Sequence, residues 1–248
     1  MSIQFQNYDY SFKINGKPAF APSGLGRRIG KDVKDRVERA FHFEDFFYNL
    51  RKGGHVAALH AHRSQKYFAK FDIENFFYSI ARNRVARSLR SISVSRAGHY
   101  SKWSCVKNPY KIPSYALPYG FVQSPILAAL VLAQSPLGDA LRKLSGSVTV
   151  AVYVDDISLS SNDLPALCDA FEEISMAFAP SSFKANDAKT VEPCEVLSVF
   201  NCYLSMGRAM VLTERIAEFY ASPRSPASIA GFQSYVDSVA RGNRKTEI

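Results

Sequence analysis

Valines at 148, 150, 152 and 154 alternate with polar or small residues, and Ile157 and Leu159 resume the alternation beyond Asp155 and Asp156. Successive side chains of a strand point to opposite faces, so this pattern predicts a hairpin over 148–161 with the two aspartates at its tip. The same period of two marks YFAKFDI, residues 67 to 73, as a strand. It marks about 196–205 and 209–213 as two more, flanking a turn at Gly207. A period near 3.6 predicts a helix over 31–51 through Val33, Val37, Ala40, Phe41, Phe47 and Leu50, ended by Gly53-Gly54. Others follow at about 76–89, at 164–179 with Asn162 or Asp163 as cap, and at about 226–240. Ser124 reads as an N-cap and Pro125 as the first helical residue of ILAALVLA, and Pro136 interrupts or kinks that helix. Breakers at Gly16, Pro18, Pro22, Gly24, Gly26 and Gly30 leave 1–30 irregular. Residues 55–65 form a short helical or irregular piece, 91–116 a loop or small hairpin, and the last eight residues a frayed end. The order strand, helix, helix, hairpin, helix, strand predicts an α+β fold with helices on one face of a ferredoxin-like sheet.

The hairpin tip raises a question of charge. Hairpin turns favour Asn-Gly or Asp-Gly because their φ angles are positive. Two carboxylates about 4 Å apart at an effective dielectric near 20 repel by roughly 4 kcal/mol. A third acid, Asp72, ends the strand 67–73. If that strand pairs beside the hairpin, the acids converge and need a cation to remain ionised. Oxygen-only ligation of this kind suits Mg²⁺, and a pair of such ions drives in-line phosphoryl transfer. The chain of 248 residues carries 31 Lys and Arg against 22 Asp and Glu, a net charge of +9 that favours a polyanionic partner. Cys105, Cys168, Cys194 and Cys202 form no CxxC pair, which points to reduced thiols. The N-terminal stretch MSIQFQNYDYSFKING is too polar for a signal peptide, and the longest apolar run, Ile126 to Ala133, is too short to span a bilayer. A soluble, cytoplasmic protein without a membrane partner is the expectation.

Several stretches together resemble a known family. FDIENFFYSI (72 being its Asp) resembles motif A of reverse transcriptases, especially the bacterial retron, group II intron and abortive-infection kinds, and YVDD resembles their motif C. LPYGFVQSP, 117 to 125, resembles motif B; AKT, 188 to 190, the lysine motif D; FNCYLSMGRAMVL the primer grip; and GFQSYVDSVARGN the opening of the thumb. The resemblance implies a right-hand polymerase: fingers over 1–66, palm over 67–213 with an insertion at 91–123 toward the fingers, and a reduced thumb over 214–248. It implies that Asp72 and Asp155 ligate two Mg²⁺ ions (or Mn²⁺), with the Ile73 carbonyl and Asp156 assisting. Glu74, Asn75 and Phe76 would shape the nucleotide pocket with Tyr119 and Gly120. Phe77 would exclude a ribose 2′-hydroxyl, and Lys189 would protonate pyrophosphate. Arg63 and Lys66 would hold the triphosphate, while Arg82, Trp103 and Gln123 would contact nucleic acid.

Tyr119 departs from the family pattern, which has Gln there; Gln123 is the nearest substitute. Similar departures occur in "unknown group" enzymes tied to phage defence. The implied activity is therefore RNA-directed DNA synthesis from deoxynucleotides, on a dedicated structured noncoding RNA in an antiviral or retron-like system. Template-free or protein-primed synthesis by the same site is one alternative. An inert palm that only binds nucleic acid is another, and an RNA-dependent RNA polymerase is a third. The short thumb implies self-association or a partner subunit. The histidines from His42 to His62 do not form a metal box, because His60 and His62 would point to different helix faces.

Overall fold

The computed structural model describes residues 6–244. In chain order it contains β1 (Tyr8–Ile14), β2 (Lys17–Pro22), α1 (Gly24–Ala40), a single 3-10 turn (Tyr48–Leu50), α2 (Gly54–His62), β3 (Tyr67–Asp72), α3 (Phe76–Ser79), α4 (Arg82–Ser91) and α5 (Ala97–Ser104). There follow β4 (Val106–Lys107), β5 (Tyr115–Ala116), α6 (Ser124–Ala133), α7 (Pro136–Leu144), β6 (Thr149–Tyr153), β7 (Asp156–Ser161), α8 (Leu164–Ala177), β8 (Val191–Cys194), β9 (Val196–Val199), β10 (Cys202–Ser205), β11 (Arg208–Val211), α9 (Thr213–Tyr220) and α10 (Pro226–Ala240). These gather into two compact units. One comprises the chain up to Glu44, Ile73–Ala140 and Ala177–Lys184; the other comprises Asp45–Asp72, Leu141–Met176 and the chain from Ala185 onward. Among the described residues no single helix is long and apolar enough to cross a membrane.

The second unit holds a four-stranded antiparallel sheet in the order β6-β7-β3-β8. Numbered within the sheet, this is 2-3-1-4, the ferredoxin-like order expected. Phe68, Phe71, Ile157 and Leu159 are fully buried within it, and α8 stacks Phe171 on Phe71 with ring centroids 4.4 Å apart. Each such side chain contributes about 1.5–3 kcal/mol of burial. Leu59 of α2 and Phe68 share a cluster with Leu197, Val199, Leu204, Val211 and Val239, which fastens the meander β9-β10-β11 and helix α10 to the sheet.

The first unit opens with a hairpin where the sequence reading had only an irregular stretch. Its turn is Asn15-Gly16, both with positive φ (48° and 77°), the residue pair that hairpin turns select. Ser23 then caps α1, its hydroxyl accepting from the Gly26 amide at 3.1 Å, so the helix starts seven residues before the expected 31. It also stops at Ala40, and Phe47 and Leu50 lie outside it. Phe47 instead pairs with Val152 in an isolated bridge of the second unit. Phe46 and Phe47 are buried at the edge of β6, where the Val152 amide donates to the Phe46 carbonyl. Phe20, Tyr78, Val106, Ala116 and Phe121 form the first unit's own cluster, and the Tyr78 hydroxyl donates to the Pro18 carbonyl at 2.8 Å.

Further boundaries differ. The 76–89 helix is two, broken at Ile80 and Ala81, where Leu117 donates to the Ile80 carbonyl and Ala81 bridges Ala116. Residues 91–116 contain the helix α5 besides a small hairpin. Gln123, not Ser124, is the N-cap of α6. The 196–205 strand is divided by Phe200-Asn201, both with positive φ, and β8 and α9 add elements with no strong period. Of the frayed tail, residues 245–248 lie outside the described residues.

His62 is 1% exposed, with Nδ1 2.7 Å from Ser160 Oγ and Nε2 2.9 Å from Ser158 Oγ. His60 faces away, its Nε2 3.1 Å from the Val239 carbonyl. Burial pushes the His62 imidazole down from 6.5 to about 4. The folded state therefore resists protonation that the unfolded chain accepts. Stability is intact above pH 6.5 and is lost as pH falls toward 4, by about 3 kcal/mol. Urea melts across that range are expected to show this loss relative to His62→Gln, which has no proton to gain. Parallel curves for the two proteins would refute the assignment.

Candidate active site

The register of β3 and β7 sets Asp72 directly opposite Asp156. Asp156 is in turn opposite Tyr153 of β6, so the hairpin's central residues are Val154 and Asp155. The expected Asp-Asp tip is thus shifted by one: Asp155 is in the turn and Asp156 begins the strand. Val154 carries φ 62°, a conformation a β-branched residue reaches only at a cost of order 1–3 kcal/mol. Like charges directly opposite on paired strands destabilise the pair. Asp72 is 4% exposed. Its Oδ2 accepts from Lys189 Nζ at 2.9 Å and its Oδ1 from Asn186 Nδ2 at 3.1 Å.

A compact turn presents this lysine. The Asn186 amide donates to the Asp72 carbonyl at 2.8 Å, and the Asn186 carbonyl accepts from the amides of Lys189 and Thr190. The hydrogen bond to Asp72 holds the Lys189 ammonium above its ordinary pKa. Burial, then the charges of Asp155 and Asp72, push the Asp156 carboxyl up to about 6, against the pull of Lys70 and Lys189. Three carboxylates influence one another here, and the ammonium groups of Lys189 and Lys70 supply compensating charge. Among the described residues no three His, Cys, Asp or Glu side chains are gathered closely enough, as they stand, to hold a metal ion. The donor chemistry nevertheless fits a hard divalent cation, for which the Lys189 ammonium on Asp72 is a stand-in.

Beside the acids, Tyr153, Val154, His55, Phe200 and Tyr235 help to line a cavity of about 480 Å³ that also takes in Asp155 and Asp156. Tyr153 lies edge-on to His55 and Phe200 at 5.6 and 5.4 Å between centroids. Burial lowers the His55 pKa and, first among its causes, raises that of Tyr235. The sequence reading missed this aromatic wall, because its members come from α2, β6, a two-residue turn and α10 and share no local period.

In the first unit, Phe77 is 5% exposed and meets Tyr119 edge-on, with centroids 4.8 Å apart. Lys17 lies over the Tyr119 ring at 5.6 Å. Gly120 has φ 98°, and a Cβ there would lie 2.3 Å from the Phe20 carbonyl oxygen, so only glycine fits. Glu74 pairs with Lys184 at 2.8 Å, Asn75 is exposed with φ 49°, and the side chains of Ile73 and Phe76 are core at 1% exposure each. Gln123 is fully buried, its Nε2 donating to Ser104 Oγ at 3.3 Å and its Oε1 lodged where a Cβ on Gly30 would stand. That corrects its reading as a nucleic-acid contact: it packs the start of α6 against α1. Arg82 lies 4.6 Å over the Tyr115 ring, and the half-buried Trp103 accepts from Asn7 Nδ2 through its carbonyl.

In the second unit, the Arg63 guanidinium donates to the Arg241 carbonyl, and the Arg63 carbonyl accepts from Gly207, so that this residue helps to tie down the segment around Arg241. Lys66 is 3.9 Å from Glu195 and 4.8 Å over the Tyr67 ring.

The raised pKa of Asp156 has a stability consequence. Between about pH 4 and 6 the folded state holds a proton that the unfolded chain has released, so the folded state is penalised above pH 6 and relieved below 4. Asp156→Asn is expected to melt higher than wild type at pH 7.5 without divalent cations, by on the order of 1 kcal/mol after solvent screening. The advantage disappears by pH 4. A variant that is less stable at pH 7.5 would show that the Asp156 charge is already compensated.

A family model described as reverse transcriptase (RNA-dependent DNA polymerase) matches residues 16–205. No curated protein matches the chain significantly. Among solved structures, a foamy viral protease-reverse transcriptase in complex with double-stranded DNA is similar with a TM-score of 0.52 at 15% identity, over 91% of this chain and 34% of that one. Telomerase from Candida albicans, in complex with a fragment of telomeric RNA, is similar with a TM-score of 0.53 at 12% identity, over 85% and 40%. The chain thus spans well under half the length of either, and at these identities the likeness is one of fold. The family model covers well over half of the chain, and with that match it belongs to the reverse transcriptase (RNA-dependent DNA polymerase) family.

Proposed function

We propose that this chain carries the catalytic core of an RNA-directed DNA polymerase, adding deoxynucleotides to a primer hydroxyl on an RNA template. The observation that carries this reading is Asp72 set opposite Asp156, with Asp155 in the adjoining turn and Lys189 on the Asp72 carboxylate, in a chain of this family. Asp72 and Asp155, with Asp156 and the Ile73 carbonyl, are the groups that would hold two Mg²⁺ ions, or Mn²⁺ in their place. Such ions, when bound, lower the pKa of an attacking hydroxyl and offset charge on departing pyrophosphate.

The chain's own residues then have distinct tasks. Lys189, presented by the 186–190 turn, is the proton donor to pyrophosphate. Phe77, immobilised against Tyr119, is the ring that rejects a 2′-hydroxyl. Gly120 keeps its loop free of a side chain that Phe20 would strike. Fingers, palm and the opening of a thumb are assigned to 1–66, 67–213 and 214–248. The wording of FDIENFFYSI, LPYGFVQSP and YVDD favours the retron-like and defence-associated enzymes, and with them a structured noncoding RNA template copied in the cytoplasm.

Primer extension on RNA with Asp155→Asn is expected to fall by about a thousandfold or more while RNA binding persists. Equal extension by variant and wild type would leave only a binding role. Phe77→Ala is expected to raise incorporation of ribonucleotides relative to deoxynucleotides by about tenfold or more. An unchanged ratio would remove Phe77 from discrimination.

A further inference from the structure

Between Glu74 and Asp139 the chain has no acidic residue, yet eight of its Lys and Arg fall there, nearly the whole net charge of +9. The structure shows how these cations are distributed. Arg84 turns inward, donating to the carbonyls of Ser181 and Ser182 and lying 4.5 Å over the Phe183 ring. Arg82 and Arg90 instead rim an open trough between α4 and α5, with Lys102 opposite. Its volume is about 490 Å³, and no carboxylate lines it. Positions 82, 86 and 90 are successive fours on one stripe of α4, and 98, 101 and 102 face them from α5. Buried Ala86 and Ser101 make the floor, and the guanidinium of Arg82 is set by its stacking on Tyr115.

We infer that this trough binds the sugar-phosphate backbone of a nucleic acid strand. Arg82 and Arg90 are about 12 Å apart along the helix axis, too far for one phosphate and suited to successive phosphates. Cations at that spacing with a small neutral floor admit a continuous polyanion, and the partly exposed Tyr115 offers a stacking face at one end. The inference rests on the polymerase reading only for the choice of RNA as the strand.

The test is fluorescence anisotropy with labelled single-stranded RNA and with DNA of the same sequence. It is run without nucleotides or divalent cations, in an Asp155→Asn background, across about 50–200 mM salt. The triple variant Arg82→Ala, Arg90→Ala, Lys102→Ala is expected to lose about tenfold or more in affinity, and its log K against log salt slope should shrink by about 2. A control triple, Lys13→Ala, Arg28→Ala, Arg39→Ala, removes equally exposed cations from the same unit and is expected to lose much less. Gly98→Glu gives an independent check. A Cβ at Gly98 meets nothing within 4 Å, so the fold is spared while an acid enters the trough. It should weaken binding in the same direction.

Equal losses in the two triples, unchanged binding in the trough variants, or competition by polyglutamate as effective as RNA would each overturn the inference. Tighter binding of DNA than RNA keeps the trough and changes the strand. Because binding is read without synthesis, failure here leaves the polymerase reading standing, and loss of polymerase activity leaves the trough standing.

Discussion

Two carboxylates that face each other across paired strands constrain everything around them. The β3/β7 register sets Asp72 and Asp156 opposite each other, in the sheet that buries Phe68, Phe71 and Ile157. The site is therefore a conflict that the fold imposes and that Lys189, with Lys70 nearby, partly resolves. Lys189 is suited to that task because it is reached through a turn anchored on the Asp72 backbone itself, so the cation and its partner move together.

Support for the register comes from the sheet face that Asp156 shares with Ser158 and Ser160. His62 inserts a neutral ring between Ser158 and Ser160 on the strand that begins with Asp156. A slip of one residue would turn both hydroxyls to the opposite face and strand a buried imidazole without partners. The polar pair thus specifies alignment where the surrounding Val, Ile and Leu side chains would tolerate a shift. Positioning to a fraction of an ångström at the acids depends on this kind of specification, since apolar packing alone is less selective about partners.

Much of this was legible in the chain because strands announce themselves by alternation. The 148–161 hairpin, the strand through Asp72 and the ferredoxin-like order followed from period and sequence order alone. What escaped depended on other physics. Asn15-Gly16 was a hairpin signal hidden among six helix breakers. Phe47 matched a helical period while pairing at a strand edge, and Leu50 while closing a 3-10 turn. Gln123 is a residue type that usually faces solvent, and burial claimed it instead. The aromatic wall beside Asp155 assembles from segments far apart in the chain, which no local window can join.

Val154 illustrates a different economy. Glycine or asparagine would adopt its backbone conformation with less strain, yet valine stands there and its side chain helps to form the cavity beside the acids. The flanking strands hold the turn, so the residue in it is free of the duty of making it. That decouples shape from support: the size of the side chain at 154 can vary the cavity's contour while the neighbouring carboxylates stay registered. The turn becomes a place where the molecule can be retuned for what lies against Tyr153 without rebuilding the sheet that carries its charge.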